Sequence, residues 1–217
     1  MLITTAAVAP FLKNGFLVAC EETREAILID PGDEVEELLT AARSTGVNVK
    51  AVLLTHAHLD HITGVGRVKK ELGVPVWLHA DDLFLYDAIV DQGMMFGLRV
   101  ERQPPVDAHY SPGTPFLFGR YQVDVHHTPG HCPGGVCLAI GRVDEPARQL
   151  FVGDTLFAGS IGRTDLPGGD HATLINSIRS VLLAFPDDTL VHPGHGPDTT
   201  IARERRTNPF LVGSFET

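Results

Sequence analysis

The stretch that decides the reading is AVLLTHAHLDH, Ala51 to His61, in which an apolar run breaks abruptly into four potential metal ligands within six residues: His56, His58, Asp60 and His61. Val49 to Leu54 has the near-continuous apolar character of a strand buried on both faces. In an extended segment residues two apart project to the same side, so His56 and His58 can grip one ion. A turn into a following helix would then re-aim Asp60 and His61 toward a second ion. A solvated loop that happens to be rich in histidine rarely gathers ligands at this density behind a buried strand.

Working outward from this segment, strand-like runs are expected at Ala26 to Asp30, Val74 to Leu78, Phe116 to Phe118, Tyr121 to Val125, Val136 to Ile140, Leu150 to Val152 and Thr189 to His192. Helical patterns lie between them. One is capped by Asp33, carries Val35, Leu38, Leu39 and Ala42, and stops at Gly46; others run from about Ile62 to Leu72, from Asp82 to Gln92, from Asp170 through Leu174 and Ile178, and from Ile201 to Arg206. Strands flanked by helices on both sides imply a layered α/β sandwich. Three further strand ends carry a glycine-flanked ligand: TPGH with His131, GD with Asp154, and PGHG with His195. Glycine and proline let the backbone turn sharply there and approach a crowded ion.

Composition narrows the function. Seventeen basic against twenty-seven acidic residues leave a net charge of -10, which opposes binding to nucleic acid or anionic lipid. No apolar run approaches the ~20 residues of a membrane span, and Met1 to Gly15 lacks a basic leader pattern. Cys20, Cys132 and Cys137 form no CxxC pair and suit reduced thiols, so a cytoplasmic protein is expected. No repeat, linker or compositional break divides the chain, and a single domain over residues 1–217 is expected.

THAHLDH at 55–61, TPGH at 128–131, GDTLFAG at 153–159, GRTDLPGGDH at 162–171, PGHGPDTT at 193–200 and ERRTNPFL at 204–211 together resemble the metallo-β-lactamase superfamily, and within it the compact glyoxalase II-like hydrolases. The resemblance implies a four-layer αββα sandwich with a metal site at the sheet edge and no separate C-terminal substrate domain. It implies His56, His58 and His131 as ligands of one metal, Asp60, His61 and His195 as ligands of a second, and Asp154 as the bridge. Two divalent ions are implied, zinc first, with iron or manganese as substitutes. Two such cations, two aspartates and a bridging hydroxide sum to about +1, which would stabilise an anionic transition state.

The expected reaction is therefore hydrolysis of a small-molecule thioester of glutathione type, such as S-lactoylglutathione, by the metal-bridging hydroxide, with Asp60 both ligating and orienting it. A thiolate with a free pKa near ~8.5 leaves without obligatory protonation, so no general acid is required. Three other readings stand beside this one. ITG at 62–64 and GRTD at 162–165 are similar to persulfide dioxygenases, which would use a single iron on His56, His131 and Asp154. A lactonase would use the same hydroxide, and a metal-binding module would have no turnover.

The remaining polar candidates divide by their surroundings. Arg163 could meet a substrate carboxylate or pair with Asp165 or Asp170. His79 and His171 read as surface or capping residues, one of His126 and His127 as support for the site, and Cys132 as loop packing. Met94, Met95 and Phe96 are expected in the core, with a pocket wall or a homodimer contact as the alternatives.

Overall fold

The computed structural model describes residues 1–212. The chain begins with an antiparallel meander, β1 (Leu2–Ala6), β2 (Gly15–Ala19) and β3 (Glu25–Ile29), then crosses through α1 (Val35–Thr45) to β4 (Asn48–Leu53). Two short helices, α2 (Leu59–Ile62) and α3 (Val65–Leu72), lead to β5 (Val76–Leu78). After α4 (Leu83–Asp87) and α5 (Ile89–Met95), β6 (Ala108–His109) completes a first sheet of order β1-β2-β3-β4-β5-β6, parallel from β3 to β6.

A second sheet is built from β7 (Phe116–Phe118), β8 (Tyr121–His127), β9 (Val136–Arg142) and β10 (Gln149–Gly153). The small hairpin β11 (Leu156–Phe157) and β12 (Ser160–Ile161) and helix α6 (His171–Ser180) follow. Then come β13 (Leu190–Pro193), β14 (Thr199–Thr200), α7 (Ile201–Thr207) and α8 (Pro209–Val212). The order is β14-β13-β10-β9-β8-β7, and β10 and β13 run parallel.

Period-2 alternation divides the apolar residues between the layers. Ile27, Ile29, Ala51 and Leu53 face Val123, Leu138, Ile140 and Phe151 of the opposite sheet, forming the core between the sheets. Leu28, Val52 and Leu54 face the other way onto Leu38, Leu39, Ile62, Val65 and Val68. On the far side Ala139, Leu150 and Val152 pack on Leu174 and Ile178. The result is the αββα sandwich that the sequence predicts. No helix among the described residues is long and apolar enough to cross a membrane.

The structure corrects several local expectations. Glu34, not Asp33, precedes α1, and no side chain caps the helix there. The expected helix at Ile62 to Leu72 breaks into α2 and α3 because Gly64 lies so close to the Pro31–Gly32 turn that a Cβ on it would sit 2.5 Å from the Gly32 carbonyl oxygen. The segment from Asp82 to Gln92 likewise splits into α4 and α5 behind a 3-10 turn at Ala80–Asp82. Gly46 in the left-handed conformation and Asp170, which accepts from the Thr173 amide, terminate and cap their helices as the sequence predicts. Met94, Met95 and Phe96 are exposed rather than in the core, at the C-terminal end of α5.

Candidate metal centre

The seven residues singled out from the sequence meet at one edge of the sandwich. His56 to His61 follow β4 of the first sheet; His131 follows β8, Asp154 follows β10 and His195 follows β13, all in the second. Two groups of donors form, each with its ligand atoms within 4.8 Å of one another: His56, His58 and His131, and Asp60, His61 and His195. Asp154 lies between them. Its Oδ1 is 3.3 Å from His61 Nε2, and its Oδ2 is 3.7 Å from His131 Nε2 and 3.5 Å from His195 Nε2. Asp60 Oδ2 stands 3.2 Å from His195 Nε2 and 3.8 Å from His61 Nε2.

Glycines permit this crowding. A Cβ at Gly194 would fall 2.2 Å from Asp154 Oδ1, and one at Gly162 would fall 1.8 Å from the Asp154 carbonyl oxygen. A side chain at Gly162 would collide with backbone, and one at Gly194 would displace the Asp154 carboxylate and the His61 ring.

Hydrogen bonds from behind set the ring tautomers. His131 Nδ1 donates to the Arg163 carbonyl at 2.7 Å, which turns its Nε2 into the cluster, 2.8 Å from His58 Nδ1. His61 Nδ1 donates to Asp30 Oδ2 at 2.9 Å with the same effect. His56 Nδ1 lies 3.1 Å from Thr55 Oγ1, whose hydroxyl donates to Asp30 Oδ2 at 2.6 Å. Asp30 also accepts from the Thr55 amide at 2.7 Å, so one buried carboxylate orients two imidazoles and the start of the ligand loop.

Asp30 was not among the sequence candidates. The available signal was an acidic residue closing an apolar strand, and the left-handed turn at φ 48° that aims it under the end of β4 belongs to the folded chain alone. Asp82 was also missed. It is fully buried, and it ties the two ligand loops together by accepting from the Ala57 and Gly134 amides and from Cys132 Sγ. Cys132 is thus a packing residue, and burial beside Asp82 pushes its thiol well up, away from nucleophilic use.

The electrostatics suit cations. Burial, with His61 and His58 adding to it, holds His56 well below the ordinary imidazole range, and burial with His131 pushes His58 down to about 3. Both are neutral at neutral pH. Burial alone would lower His61 as well, yet Asp154, Asp60 and Asp30 outweigh it and push the ring up to about 10. Burial opposes ionisation of Asp154 and Asp60, but His61 prevails in each case and keeps both carboxyls below their usual range. A proton on His61 and a divalent cation answer the same negative charge, so binding of one expels the other.

A divalent metal fits this donor set. Among the described residues five buried side-chain polar atoms lack a hydrogen-bond partner, and four of them, His56 Nε2, His58 Nε2, His61 Nε2 and Asp154 Oδ1, belong to this cluster. Orphaned donors and acceptors are costly in a protein interior, and a cation coordinated by imidazole nitrogen and carboxylate oxygen answers that deficit. Above the cluster opens a cavity of about 200 Å³ walled by Phe11, Leu59, Gln92, Phe96, Arg163 and Leu166. Phe11 and Phe96 meet edge to face with centroids 5.9 Å apart. Arg163 forms a two-pronged pair with Asp165 at 2.7 Å, which realises the ion-pair reading of that residue.

His126 packs edge-on against Phe185 and His127 bonds the Pro133 carbonyl, so neither reaches the cluster, and His171 is exposed at the start of α6.

Replacement of Asp30 by Asn is expected to weaken metal binding by about 10- to 100-fold, the usual cost of losing an outer-shell partner. An amide cannot accept from the Thr55 amide, the Thr55 hydroxyl and His61 together. Competition against a chelator would measure the loss, and unchanged affinity would remove Asp30 from the site's support.

A two-sheet sandwich with histidine and carboxylate donors at its edge is the fold and site of the metallo-hydrolase superfamily. The chain belongs to the metallo-beta-lactamase superfamily, whose family model matches residues 9–195. It is 38% identical to hydroxyacylglutathione hydrolase GloC of Haemophilus influenzae, covering 97% of this chain and 98% of that one. Among solved structures, TTHA1623 in a di-iron-bound form is 43% identical with a TM-score of 0.84, over 96% of this chain and 100% of that one. The BLEG-1 B3 metallo-beta-lactamase is 36% identical with a TM-score of 0.87, over 98% and 100%.

Proposed function

We propose that this chain is a single-domain thioester hydrolase that uses two divalent cations and acts on a glutathione-type acyl thioester such as S-lactoylglutathione. The observation that carries the reading is the second ligand group. Asp60, His61 and His195 stand beside His56, His58 and His131 with Asp154 between them, enough donors for two ions rather than one. The 38% identity with a hydroxyacylglutathione hydrolase over nearly the whole of both chains supports the same substrate class.

His56, His58 and His131 would hold one cation, Asp60, His61 and His195 the other, and Asp154 would bridge them. Two such cations supply a water acidified toward pKa ~7 and Lewis acidity for a carbonyl oxygen. The protein's own part is to fix the ligands: Asp30 and the Arg163 carbonyl hold the ring tautomers, and the glycines keep Asp154 in place. Asp60, whose carboxylate lies 3.2 Å from His195 Nε2, would orient the water as well as ligate.

Phe11, Leu59, Phe96 and Leu166 offer an apolar wall for an acyl group and keep bulk water from the reacting carbonyl. The leaving thiolate needs no proton in the transition state, and no acidic side chain besides Asp60 and Asp154 lines the cavity.

The test is direct. Protein purified without added metal is analysed for zinc, iron and manganese per chain, and S-lactoylglutathione and glutathione persulfide are supplied in parallel. Two ions and thiol release support the reading. One iron per chain with oxygen consumption on the persulfide would overturn it in favour of the dioxygenase.

A further inference from the structure

A second cluster of metal-ligand side chains lies outside the centre described above. His79 follows β5 in the first sheet, His127 ends β8 in the second, and Asp81 lies in the turn after His79. One donor atom from each falls within 4.8 Å of the others. The two imidazoles are stacked nearly parallel, with centroids 4.3 Å apart and planes 9° from each other, and His79 Nδ1 is 3.8 Å from Asp81 Oδ2.

We propose that His79, Asp81 and His127 form a distinct site for a borderline divalent transition metal such as zinc, which would clip the two sheets together. Three features carry this. Two imidazoles and a carboxylate are the donor types such ions select. His127 Nε2 donates to the Pro133 carbonyl at 2.8 Å, which leaves its Nδ1 lone pair free, the outer-shell arrangement found behind ligating histidines. The cluster also borders a cavity of about 250 Å³ lined by His79, Tyr110, Ser111, His126, His127 and Val136, which leaves room for a water or an external ligand to complete the coordination.

Tetrahedral zinc with Zn–N of about 2.0–2.1 Å needs donors about 3.4 Å apart. One ion cannot lie in the planes of two parallel stacked rings, so the stack must open; His127 and Asp81 are exposed and free to turn for it. The cost is the 3.3 Å contact from the Asp81 amide to His79 Nδ1, at the long end of hydrogen bonding.

The clip would act on the main centre through short paths. Three residues beyond His79, Asp82 accepts from Ala57 and Gly134, and four residues beyond His127 stands His131. The inference does not depend on which reaction the main centre performs.

The experiment uses the protein loaded with its full complement of catalytic metal and dialysed against buffered zinc. The unmodified chain is expected to bind one further equivalent per chain, and His127→Gln and His79→Gln to lose that equivalent alone. Retention of the catalytic complement reports that the variants are folded. Should either fail to fold, Asp81→Asn, at an exposed position, is expected to weaken the extra binding at least tenfold. Zinc at about a hundredfold excess over its Kd is expected to raise Tm by about 5–10 °C in the unmodified chain and not in the glutamine variants. Equal stoichiometry and equal shifts in all the proteins would overturn the proposal.

Discussion

An Asp154→Asn chain is expected to hold at most one divalent cation and to cleave thioester more than about 100-fold more slowly than the unmodified chain, a larger loss than an outer-shell change causes. Asp154 is the carboxylate that reaches His131 of one ligand group and both His61 and His195 of the other. Asparagine has nearly the same shape, so the close packing against Gly194 is preserved and the change is one of charge. Without that charge, two cations would face each other across a neutral amide, and one anionic donor would be left to balance them. Metal content by mass spectrometry and thiol release from S-lactoylglutathione measure both effects. Two retained ions with undiminished turnover would remove Asp154 from the bridge and with it the proposed mechanism.

Three residues of this centre, His131, Asp154 and His195, were legible because each stands at the end of an apolar strand beside glycine or proline, so chemistry and turn signal coincide. His56, His58, Asp60 and His61 were marked by density alone. Asp30 was not legible, because its role depends on a left-handed turn and on a strand pairing that brings β3 beside β4.

The same limit applies to the fold. Most buried strands showed themselves by unbroken apolar runs; β1, LITTA with most of its residues exposed, has no apolar face to betray it, whereas β2, GFLVA and buried throughout, carried the same signal and went unread. The break at Thr63 and Gly64 within an apparently continuous helix comes from a contact with Pro31 and Gly32 across the structure. Phe96 reads as core from its type, yet it follows the last turn of α5 and lines the cavity, edge to face with Phe11.

The ion pair between Lys13 and Glu34 was equally hidden, since both residues ordinarily belong at a surface. Here they are 2% exposed each, with Lys13 Nζ 2.6 Å from Glu34 Oε1 and donating also to the Asp30 carbonyl. The same Glu34 oxygen accepts from the Gly32 amide at 2.9 Å. Replacement of Glu34 by Ala would leave a buried ammonium without its counter-charge, a defect that costs about 3–5 kcal/mol. At about 2–4 °C per kcal/mol for a chain of this size, Tm is expected to fall by about 6–20 °C.

The damage should also reach the metal centre. The backbone of Lys13 bridges to His195, the Asn14 amide donates to the Gly194 carbonyl at 2.7 Å, and Asn14 Nδ2 donates to the Pro193 and Gly196 carbonyls at 3.0 and 2.8 Å. Loosening this segment frees the loop that carries His195, so the cation held by Asp60, His61 and His195 should be lost first on dialysis. A double variant, Lys13→Met with Glu34→Leu, separates charge from packing. Removal of both charges with similar volume restored is expected to recover most of the lost Tm, since a buried pair replaced by well-packed apolar residues is often neutral. A single variant that melts with the unmodified chain would show that the ammonium finds another partner or escapes to water, and the tie between this pair and His195 would then carry no energy.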